Sequence, residues 1–211
     1  GQYIQEKDTL LECLHPVSGF ESTDANAYSI VLRFTSGSFT ALLTGDLEGS
    51  GEQALLEELS ARREISENQE ADSMAVGPAD NMAGSMTDTM AGGPADNMTG
   101  SLADNMKDSL TGNMAGSMTD NMAGDPAGIT LLKVAHHGSK NSTSEEFLQM
   151  INPAIAVISC GKNNRYGHPH EETLERLSEA DISWFCTKDY GAITVSVDAK
   201  GRVVVKGYRK P

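Results

Sequence analysis

The sequence lacks any apolar run near the ~18 residues that a membrane-crossing helix requires. It also lacks the charged-then-apolar opening of a secretory signal, and it begins Gly1-Gln2-Tyr3-Ile4 without an initiator methionine. That opening reads as the interior of a longer protein. Cysteine is scarce: Cys13, Cys160 and Cys186 are an odd number with no C-x-x-C pair. Neither a disulfide framework nor a cysteine zinc knuckle is indicated, and buried apolar thiols are expected. An excess of basic charge is missing as well. The formal net charge is −14, which argues against an ordinary basic nucleic-acid surface. At 211 residues the chain has room for one domain or two.

Much of the acidity belongs to one stretch. Residues 65–128 hold ten Asp or Glu and one Lys, a net −9, which leaves −5 for the remainder. From Ser73 this stretch is an octapeptide repeat: SMAVGPAD, NMAGSMTD, TMAGGPAD, NMTGSLAD, NMKDSLTG, NMAGSMTD, NMAGDPAG. A period of eight fits neither the heptad nor the 3.6-residue helix. Gly, Pro, Asp, Asn, Ser and Thr dominate, and such a composition cannot offset the entropy of ordering. Residues 67–127 are therefore expected to form a flexible acidic insertion. Two other readings are a stacked β-turn array and Cu(I) capture by the i,i+4 pairs Met82/Met86 and Met114/Met118.

Globular sequence flanks the insertion, over 1–66 and 128–211. Thr9–Leu14, Ser29–Phe34 and Phe39–Thr44 read as strands, the last two joined by a turn at Ser36-Gly37. Ser50–Arg63 reads as a helix with early acids, late arginines, and Leu55, Leu56 and Leu59 on one face. Ile129–Ala135 is an apolar run with the length of a buried strand. A capping box at Ser142/Glu145 or Thr143/Glu146 opens a helix that buries Phe147, Leu148 and Ile151. Ala154–Ser159 and Ile182–Phe185 read as strands. Between them Pro169 suits the first position of a helix that buries Leu174 and Leu177. Ala192–Val197 and Arg202–Lys206 form a closing hairpin.

Polar residues gather at the ends of the apolar runs. Asp46 follows one, His136 and His137 another, and His168 comes after a third. Open α/β sheets place their chemistry at the carboxyl ends of strands. A lone histidine there is ordinary, whereas a carboxylate with two histidine clusters is better explained by a shared metal, since these are the usual ligands of zinc and similar ions. Neighbours in extended chain point opposite ways, so one of His136 and His137 is expected to bind metal while the other faces substrate or supports a ligand. His15 is too isolated to join them and reads as structural.

Four segments then resemble one family: Ala41-Leu-Leu-Thr-Gly-Asp46, Leu132-Lys-Val-Ala-His-His-Gly-Ser139, Asn164-Arg-Tyr-Gly-His-Pro169 and Asn26-Ala-Tyr-Ser-Ile-Val-Leu32. Together, in this order, they resemble the metallo-β-lactamase-fold domain of the DNA-internalisation competence proteins. The resemblance covers about 9–66 and 128–208. It implies an α/β chain forming the C-terminal part of a four-layer αββα sandwich, with two divalent ions, Zn or Mn, between two sheets. It implies Asp46, His136 and His168 as metal ligands, His137 and Ser139 as catalytic residues, and Asn26, Asn164 and His170 against substrate. The family's His-x-His-x-Asp-His signature, which supplies most of the ligands, is absent from 1–211 and belongs N-terminal to residue 1. That missing half of the domain is thus an expected partner, and three ligands are too few for two ions.

Paired ions would generate hydroxide and clamp a phosphodiester, and the resemblance suggests degradation of single-stranded DNA during uptake, outside the cytoplasm or at the cell surface. The same fold could instead hydrolyse phosphorylcholine esters or lactones, because fold does not choose substrate. A third reading is a non-catalytic fragment that presents the repeat. Deleting 67–127 is expected to leave the thermal midpoint nearly unchanged. A fall beyond about 5 °C in a melting experiment, roughly 1 kcal/mol for a domain of this size, would show that the octads pack on the sandwich.

Overall fold

The computed structural model describes residues 2–75, 128–198 and 200–209. The chain divides into two compact units, one of Gly1–Arg63 with Ser117–Pro211 and the other of Glu64–Gly116. The described part of the second unit is the end of a helix. The octapeptide repeat from 76 to 127 lies outside the described residues.

The first unit is built on a seven-stranded sheet in which space follows sequence: β1 (Tyr3–Glu6), β2 (Thr9–His15), β3 (Val31–Ser36), β4 (Phe39–Leu43), β5 (Leu131–Lys133), β6 (Ile155–Ile158) and β7 (Ser183–Cys186). Strands β1 to β4 pair antiparallel, and β4 to β7 pair parallel. Parallel neighbours require crossovers, and helices supply them. Helix α1 (Ser50–Ala75) lies between β4 and β5, α2 (Glu145–Ile151) between β5 and β6, and α3 (Glu171–Glu179) between β6 and β7. A short helix α4 (Thr187–Tyr190) leads to a separate hairpin, β8 (Ile193–Val197) and β9 (Val203–Gly207). The chain is thus mixed α/β. Among the described residues no helix is long and apolar enough to cross a membrane.

Register explains the core. Leu42, Leu132 and Ala156 are cross-strand partners on one face of the sheet. They are buried with Leu14 and Val31, under Leu55 of α1, Phe147, Leu148 and Ile151 of α2, and Leu177 of α3. Each large side chain sealed this way stabilises the fold by roughly 1.5–3 kcal/mol. Cys160 and Cys186 are buried free thiols and Cys13 is half-buried; burial pushes the Cys186 thiol up to about 12.

Several local expectations are corrected. Strand β1 carries no burial pattern, all four residues being exposed, so periodicity gave no sign of it. Helix α1 continues past Arg63 to Ala75; the added Glu, Gln, Ala and Met are good helix formers without an apolar stripe. The cap of α2 is Ser144, whose hydroxyl accepts from the Phe147 N–H. The expected boxes at Ser142 and Thr143 do not form, because the Glu52 carboxylate takes the Thr143 and Ser144 N–H groups at 2.6 and 2.9 Å. Pro169 stands ahead of α3 instead of in its first turn, and His170 is the N-cap. Leu174 is only partly buried.

One charge cluster ties α1 to the antiparallel strands. Glu12 on β2 accepts from Arg33, its partner on β3, at 2.6 Å, and from Arg62 of α1 at 2.5 Å. Burial works against the Glu12 carboxylate, yet the hydrogen bonds from Arg62 and Arg33 outweigh it and hold its pKa below the ordinary value. A lowered carboxylate pKa stabilises the fold above the unfolded value of about 4.3, and this contribution is lost as pH falls through the folded value. Glu12→Gln is expected to destabilise by roughly 1–2 kcal/mol at pH 7, since two guanidiniums lose a charged acceptor. Chemical denaturation at pH 7 and pH 3 checks this. The gap between wild type and variant should shrink at pH 3, and equal stabilities at pH 7 would mean the cluster contributes nothing.

Candidate functional site

Three loops leave the carboxyl ends of β4, β5 and β6 side by side. The first is Thr44-Gly45-Asp46. Thr44 Oγ1 donates to the Lys133 carbonyl at 2.6 Å, and Lys133 Nζ returns to the Gly45 carbonyl at 2.7 Å. The Asp46 N–H is held by Ser29 Oγ at 3.1 Å. Gly45 has φ +57, and a Cβ there would meet Ser29 Cβ at 3.2 Å, so glycine is what lets the turn close and aim Asp46 outward. Burial lowers the Lys133 pKa while Asp46 opposes that shift.

The second loop carries the paired histidines. Strand β5 ends at Lys133, earlier than the apolar run, and Ala135–Gly138 form a 3₁₀ turn. His136 (φ 42, ψ 48) and His137 (φ 56, ψ 19) are both left-handed. The alternation expected of extended chain therefore does not apply, and the rings of His136 and His137 stand 5.5 and 6.2 Å from that of His168. The turn is pinned by the His136 N–H on the Gly45 carbonyl at 3.1 Å and the Ser139 N–H on the His136 carbonyl at 2.9 Å. Gly138 (φ +82) packs so closely on Pro169 that a Cβ would come within 2.6 Å of it.

The third loop is folded on Asn164. Its amide nitrogen donates to the Gly161 and His168 carbonyls at 2.8 and 2.7 Å, and its oxygen accepts from the His168 N–H at 2.8 Å. This delivers His168 almost fully buried, 8% exposed, beneath an exposed Tyr166 stacked at 5.7 Å. Burial and then the neighbouring charges of His170, His136 and His137 lower the His168 pKa, against a smaller pull from Asp46. The neutral form is favoured, which leaves a ring lone pair available.

The acceptors behind the paired rings fix their proton positions. His137 Nδ1 lies 2.6 Å from the Ser159 carbonyl, and His136 Nδ1 lies 2.8 Å from Glu48 Oε2. A carbonyl and a carboxylate can only accept, so both Nδ1 atoms carry hydrogen and both Nε2 atoms are open in the neutral rings. His137 Nε2 stands 3.7 Å from Asp46 Oδ1.

Other expected site residues lie nearby in different settings. Asn26 Nδ2 donates to Glu48 Oε1 at 2.9 Å. His170 Nδ1 accepts from the Lys140 N–H at 3.0 Å. Ser139 is buried, with its Oγ accepting from the Asn141 N–H at 3.3 Å. His15 is buried, its Nε2 on the Ala27 carbonyl at 2.7 Å, in a structural position. The sequence reading missed Glu48 and Lys133. For Glu48 the only sequence signal was a second acid two residues after Asp46.

One carboxylate and three imidazoles are donors of the kind that zinc and manganese accept, and the carboxylate behind a histidine is the usual support of such a ligand. Among the described residues, however, no three of these side chains converge on one ion position. The donor set fits a divalent ion in kind, without being gathered into a ligand set among the described residues.

No family model matches the chain. Among curated proteins it is similar to ComE operon protein 3 of Bacillus subtilis, 52% identical over 63 residues, which are 30% of this chain and 8% of that protein. It is similar to Recombination protein 2 of Haemophilus influenzae, 49% identical over 49 residues, 23% of this chain and 6% of that protein. It is also similar to Competence protein ComA of Neisseria gonorrhoeae, 37% identical over 79 residues, 37% of this chain and 11% of that protein. Each match spans about a tenth or less of the relative's own length. Within those bounds, relatives named for competence support the likeness to competence proteins read from the four motifs.

Proposed function

We propose that the chain is part of a metal-dependent phosphodiesterase of the metallo-β-lactamase αββα fold, acting on single-stranded DNA during competence, outside the cytoplasm or at the cell surface. One observation carries this reading: Asp46, His136, His137 and His168 lie on neighbouring loops at the carboxyl ends of three adjacent strands, with both paired rings hydrogen-bonded from behind. The competence names of the relatives favour DNA uptake over other substrates of the same fold.

In a domain completed by further ligands, Asp46, His136 and His168 would help to hold a divalent ion, which when bound supplies an activated water and a counter-charge for phosphate oxygens. The protein's own groups do the rest. Asp46 is kept outward by the Gly45 turn and the Ser29 hydroxyl. His168 stays neutral through burial and through its neighbours. His137 is the most exposed of the three rings at the centre; in its protonated form it presents an Nε2–H beside Asp46, which can pass to a leaving oxygen or stabilise charge developing there. Ser139 acts from behind, closing the turn that carries the pair.

Elemental analysis of the purified chain after gel filtration is expected to give at most one weakly held divalent ion. Two tightly bound ions per chain would overturn the ligand count. In a protein that joins this segment to a His-x-His-x-Asp-His segment, Asp46→Ala is expected to remove metal and activity together. His137→Ala should spare the metal and slow hydrolysis by roughly 10²–10³, and His136→Ala should weaken metal binding by roughly 10–100-fold. Metal content and nuclease rate on each variant decide the roles: an emptied site in His137→Ala and a full one in His136→Ala would exchange them, and unchanged activity in both would make the pair a structural turn.

A further inference from the structure

Glu48 sits two residues beyond Asp46 and just before α1, and its side chain turns back toward the site. Leu47 beside it is buried in the core and anchors the turn. The Glu48 side chain is 14% exposed, and both of its oxygens are engaged: Oε2 with His136 Nδ1 at 2.8 Å, and Oε1 with Asn26 Nδ2 at 2.9 Å. Asn26 is fixed in turn by its own N–H on Asp24 Oδ1 at 2.9 Å and by the 3₁₀ turn it opens, whose Ala27 is fully buried. The chain Asn26–Glu48–His136 thus links three separate loops. At its far end the His136 backbone is held left-handed, with its N–H on the Gly45 carbonyl.

A neutral imidazole has two tautomers, and in water the Nε2–H form is favoured. A carboxylate beside Nδ1 reverses that preference, because it accepts and cannot donate. We propose that Glu48 is the positioning residue of this site: anchored by Asn26, it locks neutral His136 as the Nδ1–H tautomer, orients the ring, and presents Nε2 as a lone-pair donor. What Nε2 receives rests on the metal-dependent reading above; the tautomer does not. Without Glu48 the left-handed turn still carries His136, but the ring is free to rotate and to place its hydrogen on Nε2, where it blocks donation.

Long-range proton–nitrogen NMR correlations of the metal-free chain, at a pH where the ring is neutral, read the tautomer directly. Wild-type His136 is expected in the Nδ1–H form, and Glu48→Ala should shift it toward Nε2–H. A wild-type Nε2–H ring, or an unchanged tautomer in Glu48→Ala, overturns the proposal. The wild-type spectrum alone keeps the test decisive if the variant fails to fold. Calorimetric titration with Zn²⁺ is the second readout. Binding should weaken roughly 10–100-fold in Glu48→Ala, with the thermal midpoint held within a few degrees. Equal Zn²⁺ affinity in a folded variant whose tautomer has shifted overturns the link from Glu48 to donation. If wild type binds no Zn²⁺ while its His136 is the Nδ1–H tautomer and Glu48→Ala is not, the metal reading fails and the positioning role stands.

Discussion

Two successive non-glycine residues in the left-handed region are the constraint around which this structure is arranged. A residue held there costs about 1–3 kcal/mol, and His136 and His137 are adjacent. Such a turn persists only where its surroundings over-determine it, and here every neighbouring element contributes. The β4 loop gives the Gly45 carbonyl to His136 N–H, and the His170 N–H reaches the Gly138 carbonyl. Thr143 Oγ1 accepts from the Ala135 N–H, and the buried Glu52 of α1 in turn holds the Thr143 and Ser144 N–H groups. Helices α1, α2 and α3 thus act on one turn through hydrogen bonds as well as through the core. Strain concentrated in one place and supported from several sides is characteristic of sites whose geometry matters.

The electrostatics are arranged with similar economy of charge. Near the turn stand two carboxylates, Asp46 and Glu48, and a half-buried cation, Lys133, which is tied to the Gly45 carbonyl. Burial, and then the neighbouring charges of His170, His136 and His137, disfavour protonation of His168. The centre therefore holds imidazole nitrogens, with the neutral form favoured at His168, edged by negative charge, a setting that would suit a divalent cation better than an anion. Under the proposed function, an ion held there would let an acidic chain engage phosphate without a basic surface.

Much of the scaffold was legible because apolar runs report burial directly. The β4, β5 and β6 segments, their polar ends, and the helix at Phe147, Leu148 and Ile151 could be read from spacing alone. What was not legible follows from interactions that local sequence does not encode. Histidine has no strong left-handed preference, so nothing in His-His-Gly-Ser indicated that alternation would fail; tertiary hydrogen bonds impose it. Glu52 looked like a helix-dipole acid in the first turn of α1, yet it serves a loop 91 residues away. Glu48 reads as one more surface acid until the β4 and β5 loops are brought together. Strand β1 had no inward face to produce a pattern, and the end of α1 had no apolar stripe to mark it.

The placement of the repeat has a consequence for how this gene can change. Its stretch enters the sheet at the start of β5, while the site lies at that strand's other end, beyond Lys133. Tandem repeats gain and lose copies when DNA is replicated. Whole octads preserve the reading frame and, in the sequence, run from the last turn of α1 to just before β5. Copies can therefore be gained or lost without altering the segments that carry Asp46, the paired histidines and His168.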